Sequence, residues 1–219
     1  MNSMKVLFIE ARKKFGQQKI NYSALDKLPG QTISLASTLQ YLSLIPKVKE
    51  YLEKKQKKVI IKQGAYYKSQ VLGCNPSAFD KNADSLLLIT DGKFHALNNA
   101  VQLNKEIYVF NTYNLEKITN QDIEKIRGKK QAKVKKFLTS TKIGILTSTK
   151  QGQNYKNSIE LKKRIEKMEK QAYIFESDNI DLLELENFNI QMWVNTACPG
   201  IDLDNPKIVN LQDIMFTLK

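Results

Sequence analysis

One histidine, one tryptophan and two cysteines are all that 219 residues contain, and each scarcity removes a class of function. With His95 alone and no Cys-x-x-Cys pair, a structural zinc site lacks its nitrogen and sulfur ligands. Arginine occurs only at Arg12, Arg127 and Arg164, so the forked donor that reads bases and grips phosphates at two points is nearly missing. No apolar run approaches the length of a membrane span. Met1 to Lys14 holds only the short apolar stretch Val6 to Ile9 before charge returns, which is not a secretory leader. The expected location is therefore cytoplasmic, where thiols stay reduced, and no disulfide is expected between Cys74 and Cys198. P-loop, G-x-G-x-x-G, G-x-S-x-G and H-E-x-x-H signatures are absent as well.

Lysine dominates what remains. The 35 basic residues outweigh 22 acidic ones and leave a net charge of +13, which invites a polyanionic partner. Yet the lysines gather in helix-like stretches such as Glu53 to Lys58 and Lys125 to Lys136, as solvated helix faces do. No aromatic residues interleave with them, which argues against a stacking platform for single strands. Direct nucleic-acid binding is disfavoured, and an acidic protein partner, or one bound to the ribosome, fits the charge better. A hydrophobic fraction of 42% supports a real core, in one large domain or two small ones.

A weak internal repeat organises the chain. The first copy runs from Thr32 to Gln40, continues as a helical stretch with Leu44, Ile45, Val48 and Leu52 apolar, and returns as a strand at Val59-Ile60-Ile61. The second runs from Lys142 to Lys150, then a helix with Ile159, Leu161, Ile165 and Met168, then Ala172-Tyr173-Ile174-Phe175. Both read as strand, Ser-Thr turn, amphipathic helix, strand, and each leads after an insertion to a cysteine turn. Such units build mostly parallel sheets flanked by helices. Leu86-Leu87-Leu88-Ile89 suits a buried parallel strand; Ile107 to Phe110 and Ile190 to Val194 are further strands. A basic helix over Gln121 to Leu138 links the halves, whose boundary lies between 112 and 140. Asn210 caps a short last helix ending near Phe216. The fold class is thus α/β, as two similar domains, 1–115 carrying Cys74 and 116–219 carrying Cys198.

Three groups of residues carry potential chemistry. Cys74, in Val71-Leu72-Gly73-Cys74-Asn75-Pro76, and Cys198, in Asn195-Thr196-Ala197-Cys198-Pro199-Gly200, each lie at a turn beyond a strand-like stretch. In an open α/β sheet that edge binds ligands. Either thiol is a small buried hydrophobe, or the pair belongs to a soft-metal cluster. The second group is Asp91-Gly92-Lys93-Phe94-His95, a tight turn whose amides approach a ligand closely. Its His95 serves as proton carrier, ligand or hydrogen-bonded structural residue. The third comprises the Ser-Thr turns, Ser37-Thr38 and Ser148-Thr149, the latter extended as Lys150-Gln151-Gly152-Gln153. These either cap helices or bind carboxylates and phosphates.

Together these motifs, with Ser37-Thr38-Leu39-Gln40, resemble the first-step diphthamide synthase family, whose archaeal enzyme is 2-(3-amino-3-carboxypropyl)histidine synthase. Order and approximate spacing match over nearly the whole chain. The resemblance implies three similar α/β domains, each giving one cysteine thiolate to a [4Fe-4S] cluster whose remaining iron binds S-adenosylmethionine. Cleavage of that sulfonium yields a 3-amino-3-carboxypropyl radical, which adds to the imidazole C2 of a histidine on translation elongation factor 2. On this basis Cys74 and Cys198 are the metal ligands. Ser148, Thr149, Lys150, Gly152, Gln153, Ser37, Thr38, Gln40 and Gly92 contact the cofactor, and Asp91 and His95 are the catalytic pair.

The sequence departs from that pattern in three places. The family's first domain and its cysteine are not in this chain. Gly200 stands where an arginine is usual, and Lys93 replaces another arginine, keeping its charge but not its fork. Three readings follow. The chain is one half of a split enzyme, assembled as an oligomer with a separate chain that supplies the third cysteine. Alternatively it is a non-catalytic accessory subunit of that complex, or a lysine-rich RNA- or ribosome-binding protein.

Overall fold

The apolar run at 86–89 is buried from both sides. In the computed structural model, which describes residues 9–16, 19–202 and 205–218, it lies in a fully buried strand. The first half is built from β1 (Thr32–Ser37), α1 (Ile45–Lys54), β2 (Lys58–Ile60), β3 (Ser85–Ile89), α2 (Lys93–Leu103), β4 (Ile107–Phe110) and β5 (Leu115–Ile118). The sheet order is β2-β1-β3-β4-β5. All pairings are parallel except β4 with β5. α1 forms because Ile45, Val48 and Leu52 recur on one buried face and Pro46 is tolerated in the first turn. Leu35, Leu87, Ile89 and Phe110 face one apolar layer, and Ala36, Leu86, Leu88 and Val109 face the other.

α3 (Asn120–Thr139) leads to β6 (Lys142–Ser148), α4 (Ser158–Glu166), β7 (Gln171–Ser177), β8 (Met192–Asn195), β9 (Ile208–Asn210) and α5 (Leu211–Ile214). This second sheet is parallel throughout, in the order β7-β6-β8-β9. The two compact units are Met1–Ile126 and Arg127–Lys219. The break thus falls inside α3. A boundary at 115 would cut β5 away from β4, to which its backbone is bonded from Leu115 to Ile118.

The repeat extends to side-chain detail. Asp84, the residue before β3, accepts the Gln31 and Thr32 amides at 2.8 Å each. Gln191, the residue before β8, accepts the Thr141 and Lys142 amides at 2.6 and 3.0 Å. Each side chain satisfies backbone donors where the unit's first strand begins. The bonds from Thr32 and Gln31 hold the Asp84 carboxyl below its ordinary range.

The cysteines do not share in this symmetry. β2 is interrupted at Ile60 and resumes after an excursion, where Gln70 bridges Ser37 in parallel. Cys74 turns off the end of that resumed strand, whereas Cys198 follows β8, the counterpart of β3. The expected passage of each repeat copy to its own cysteine turn therefore holds along the sequence, but the two turns leave non-equivalent strands.

Candidate functional site

In both sheets the strand order reverses beside the first strand, between β1 and β3 and between β6 and β8. At such a switch point, adjacent loops diverge beyond the carboxyl ends and leave a crevice.

In the first unit the loops at this switch point carry most of the expected residues. Thr38 follows β1 and donates its amide to Ile89 at 3.2 Å. Its hydroxyl lies 3.5 Å from that of Thr90. Ser37 is fully buried, and its hydroxyl has no hydrogen-bond partner among the described residues. Asp91 and Gly92 follow β3, and His95 lies in the first turn of α2. Burial holds the His95 imidazole below its usual pKa, partly offset by the Asp91 carboxylate. Gln40 is exposed, and its carbonyl accepts the Lys13 amide at 3.0 Å.

Lys13 and Tyr41 also belong to this site, although no sequence signal marks them. The Lys13 ammonium donates to the Tyr41 hydroxyl at 3.3 Å, which raises its pKa. Burial raises that of Tyr41, to which Asp91 also contributes.

Cys74 is joined to the same helix. Gly73-Cys74 forms a two-residue turn closed by Leu72 and Asn75, each donating its amide to the other's carbonyl, at 3.1 and 3.2 Å. A Cβ on Gly73 would lie 2.8 Å from the Phe94 ring, so glycine is what lets the turn rest on α2. Asn99 donates to the Leu72 carbonyl at 2.8 Å and Gln102 to that of Gly73 at 2.9 Å. The thiol is free and exposed.

The second unit holds Cys198 differently. Asn195, which ends β8, accepts the Ala197 amide at 3.0 Å and donates to the Cys198 carbonyl at 2.8 Å. Thr196 donates both amide and hydroxyl to Leu146 of β6, at 3.0 and 2.7 Å. Asn210 was expected to cap the last helix. Its side chain makes no capping bond there; it accepts from Asn195 at 2.7 Å and reaches Pro199 at 3.3 Å. Cys198 is free and half-buried.

Several local expectations are corrected. Neither Ser-Thr turn stands at the start of an α-helix: Thr38 enters a 3-10 turn at Leu39–Leu44, and α4 begins only at Ser158. The Thr149 hydroxyl bonds Asp178, and Lys150 reaches Asn179. This loop thus leans toward the end of β7 rather than toward β8. Gly152 has φ +82 and supplies the left-handed step of a turn in which Gln153 donates to Lys150 at 3.0 Å. Gly92 is extended, with φ −133, and not a tight turn. Lys93 pairs with Glu116 at 2.7 Å, so its charge is engaged on β5. Gly200 lines a cleft of 640 Å³ of mixed character, with Trp193, Phe188 and Ile201 beside Glu186 and Lys207.

The donor chemistry fits an iron–sulfur cluster in kind, since both thiols are free of disulfides, at least partly exposed and carried on tied turns. In number it supplies two thiolates. No group of three or more His, Cys, Asp or Glu side chains suited to a metal ion occurs among the described residues. No helix among them is long and apolar enough to cross a membrane.

Comparison with known proteins agrees with the motif reading. Over 191 residues the chain is 29% identical to the 2-(3-amino-3-carboxypropyl)histidine synthase of Pyrococcus horikoshii, covering 85% of this chain and 55% of that protein. It is 28% identical over 194 residues to subunit 1 of the Neurospora crassa synthase, covering 80% of this chain and 41% of that one. Among solved structures, Dph2 from Pyrococcus horikoshii with a 4Fe-4S cluster superposes with a TM-score of 0.77 at 26% identity, covering 90% of this chain and 59% of the other. The chain therefore spans a little over half the length of its archaeal relatives. The diphthamide synthesis protein family matches residues 1–209, and the chain belongs to that family.

Proposed function

We propose that this chain is part of an iron–sulfur enzyme that moves the 3-amino-3-carboxypropyl group of S-adenosylmethionine onto a histidine of translation elongation factor 2. Cys74 and Cys198 would supply two of the cluster's thiolates. The third would come from outside these residues, in a separate chain that completes the site. The observation that carries this reading is the pair of free thiols, each on a hydrogen-bonded turn beyond a strand of a parallel sheet, in a member of this family.

When bound and reduced, the cluster supplies the electron that opens the sulfonium carbon–sulfur bond. The chain's own residues bind and orient. Ser37, Thr38 and Gln40 with Asp91 and Gly92 border one crevice, where hydroxyls and backbone amides suit the amino and carboxylate groups of an amino-acid moiety. Ser148, Thr149, Lys150, Gly152 and Gln153 form the corresponding loop of the second unit. Asp91 and His95 would accept or hold a proton on an imidazole substrate.

The decisive experiment is anaerobic iron and sulfide analysis after co-expression with a candidate first-domain chain. Iron retained only in the pair, and lost with either Cys74→Ala or Cys198→Ala, supports the split enzyme. Iron retained in both variants would instead make the chain an accessory subunit, a reading favoured by Gly200 at the position of the usual arginine. The RNA-binding reading draws less support. Lys57, Lys105 and Lys170 donate to backbone carbonyls within the fold, so part of the lysine excess serves structure.

A further inference from the structure

The two cysteine turns sit on non-equivalent strands, yet both are held by the same kind of group. Asn99 and Gln102 grip the carbonyls of Leu72 and Gly73. Asn195 and Asn210 grip those of Cys198 and Pro199. Packing does not explain these carboxamides. Asn99 is fully buried on the face of α2 that carries Ala96, Ala100 and Leu103. An apolar side chain there would avoid the cost of burying an amide. Its oxygen has no hydrogen-bond partner among the described residues, so the donor end is the one the position uses. Asn195 and Asn210 are 2% and 4% exposed and donate in series, Asn195 to Asn210 and Asn210 to Pro199.

A carbonyl held on one side fixes its whole peptide plane, and in a trans peptide the N–H points the opposite way. With the Gly73 oxygen drawn toward Gln102, the Cys74 N–H is turned away from α2. The Cys198 oxygen is drawn inward too, by Asn195 and by the Ile201 amide at 3.1 Å; its peptide with Pro199 has no N–H, and here it is the Asn210 bond to the Pro199 oxygen that turns the Gly200 N–H away from Asn210. Carbonyl oxygens facing an anionic cluster would oppose its reduction, whereas amide hydrogens facing ligand sulfur favour it.

We infer that Asn99, Gln102, Asn195 and Asn210 are positioning residues for Cys74 and Cys198, turning backbone oxygens of both turns inward and, at the Gly73–Cys74 and Pro199–Gly200 peptides, leaving the amide hydrogen on the outer side, where the cluster would sit. This rests on the cluster reading above and adds to it how this chain sets the cluster's ease of reduction.

Gln102 is exposed, so it can be changed without opening the core. Gln102→Met keeps length and loses the donor; Gln102→Glu keeps shape and presents an acceptor to the Gly73 carbonyl. The first measurement uses this chain alone, with Cys198→Ala, and follows the rate at which iodoacetamide alkylates Cys74. We expect Gln102→Met to slow alkylation several-fold and Gln102→Glu to slow it further, with unchanged thermal unfolding. The second is the cluster midpoint potential in the assembled complex. It should move to more negative values in Gln102→Met and in Asn210→Asp, which keeps the acceptor for Asn195 and loses the donor to Pro199. Wild-type alkylation rates in both Gln102 variants, or unchanged potentials in loaded complexes, would overturn the inference. A wild-type complex that holds no iron would sink the cluster reading instead, and the alkylation rates would still decide whether the carboxamides hold the Cys74 turn.

Discussion

Lys57 and Lys170 make the same pair of hydrogen bonds in two different sheets. Lys57 donates to the carbonyls of Leu28 and Gly30; Lys170 donates to those of Leu138 and Ser140, both at 2.7 Å. Each lysine immediately precedes an edge strand, β2 or β7, and follows a left-handed residue, Gln56 or Glu169, both at φ 59. The acceptors lie just ahead of β1 and β6. With Asp84 and Gln191 serving the same strand starts, the two units share a hydrogen-bonding plan as well as a strand order.

Replacing these lysines should therefore weaken the fold rather than the chemistry, since they precede their strands and the crevices lie at the opposite, carboxyl ends. Lys170→Met keeps the apolar stem and removes the charged donor. Hydrogen bonds to charged groups contribute about 1.5–3 kcal/mol each when buried; with partial exposure, a loss of about 1–2 kcal/mol is expected for Lys170→Met. Lys57→Met should cost a similar amount. Urea unfolding checks both, and stabilities equal to wild type would contradict this account of the repeat.

Gly144 and Gly92 should respond unequally to the same added methyl. A Cβ at Gly144 would come within 2.2 Å of the Trp193 ring. That ring is 2% exposed and held edge-on by Phe175 and Phe188, with centroids 4.7 and 6.1 Å away, so it can give way only by disturbing those two rings. Overpacking of this kind costs about 1–3 kcal/mol, and Gly144→Ala should show that loss in thermal unfolding. Gly92 has an extended backbone and nothing within 4 Å of the added methyl. Gly92 is the N-cap of α2, where alanine is less favoured than glycine, so Gly92→Ala should cost less than about 1 kcal/mol. Loss of activity in Gly92→Ala without a larger loss of stability would mean that a ligand or partner approaches that backbone closely.

Much of this was legible in the sequence, because the strong signals are local. Continuous apolar runs gave β3 and β6, and the spacing of Ile45, Val48 and Leu52 gave α1. β5 escaped because Glu116 and Lys117 occupy its middle and make a strand look like a loop. β9 is only three residues long, too short for periodicity to register. Cys74, Cys198 and Asp91 to His95 could be named from their motifs. Asn99 and Gln102 could not, and Asn210 could be read only as a helix cap, since their partners Leu72, Gly73 and Pro199 are 27, 29 and 11 residues away and meet them only through tertiary structure. Lys13 and Tyr41 were hidden for the same reason.

His95 ties the pH dependence of stability to its own placement. Its folded pKa is depressed by burial, with Asp91 opposing. The unfolded chain therefore binds a proton more readily than the folded one, and stability rises with pH across the window between the two pKa values. Stability should be level above the ordinary histidine value of about 6.5 and fall as the medium is acidified below it. His95→Gln should remove this component of the slope. Asp91→Asn, by deleting the opposing charge, should lower the histidine pKa further and extend the decline to more acidic pH. Urea unfolding at a series of pH values separates these variants. A wild-type slope identical to that of His95→Gln would mean the imidazole is not held neutral by burial. If the slope is present, His95 is neutral near pH 7, and in any chemistry at this edge it begins as a proton acceptor rather than a donor of positive charge.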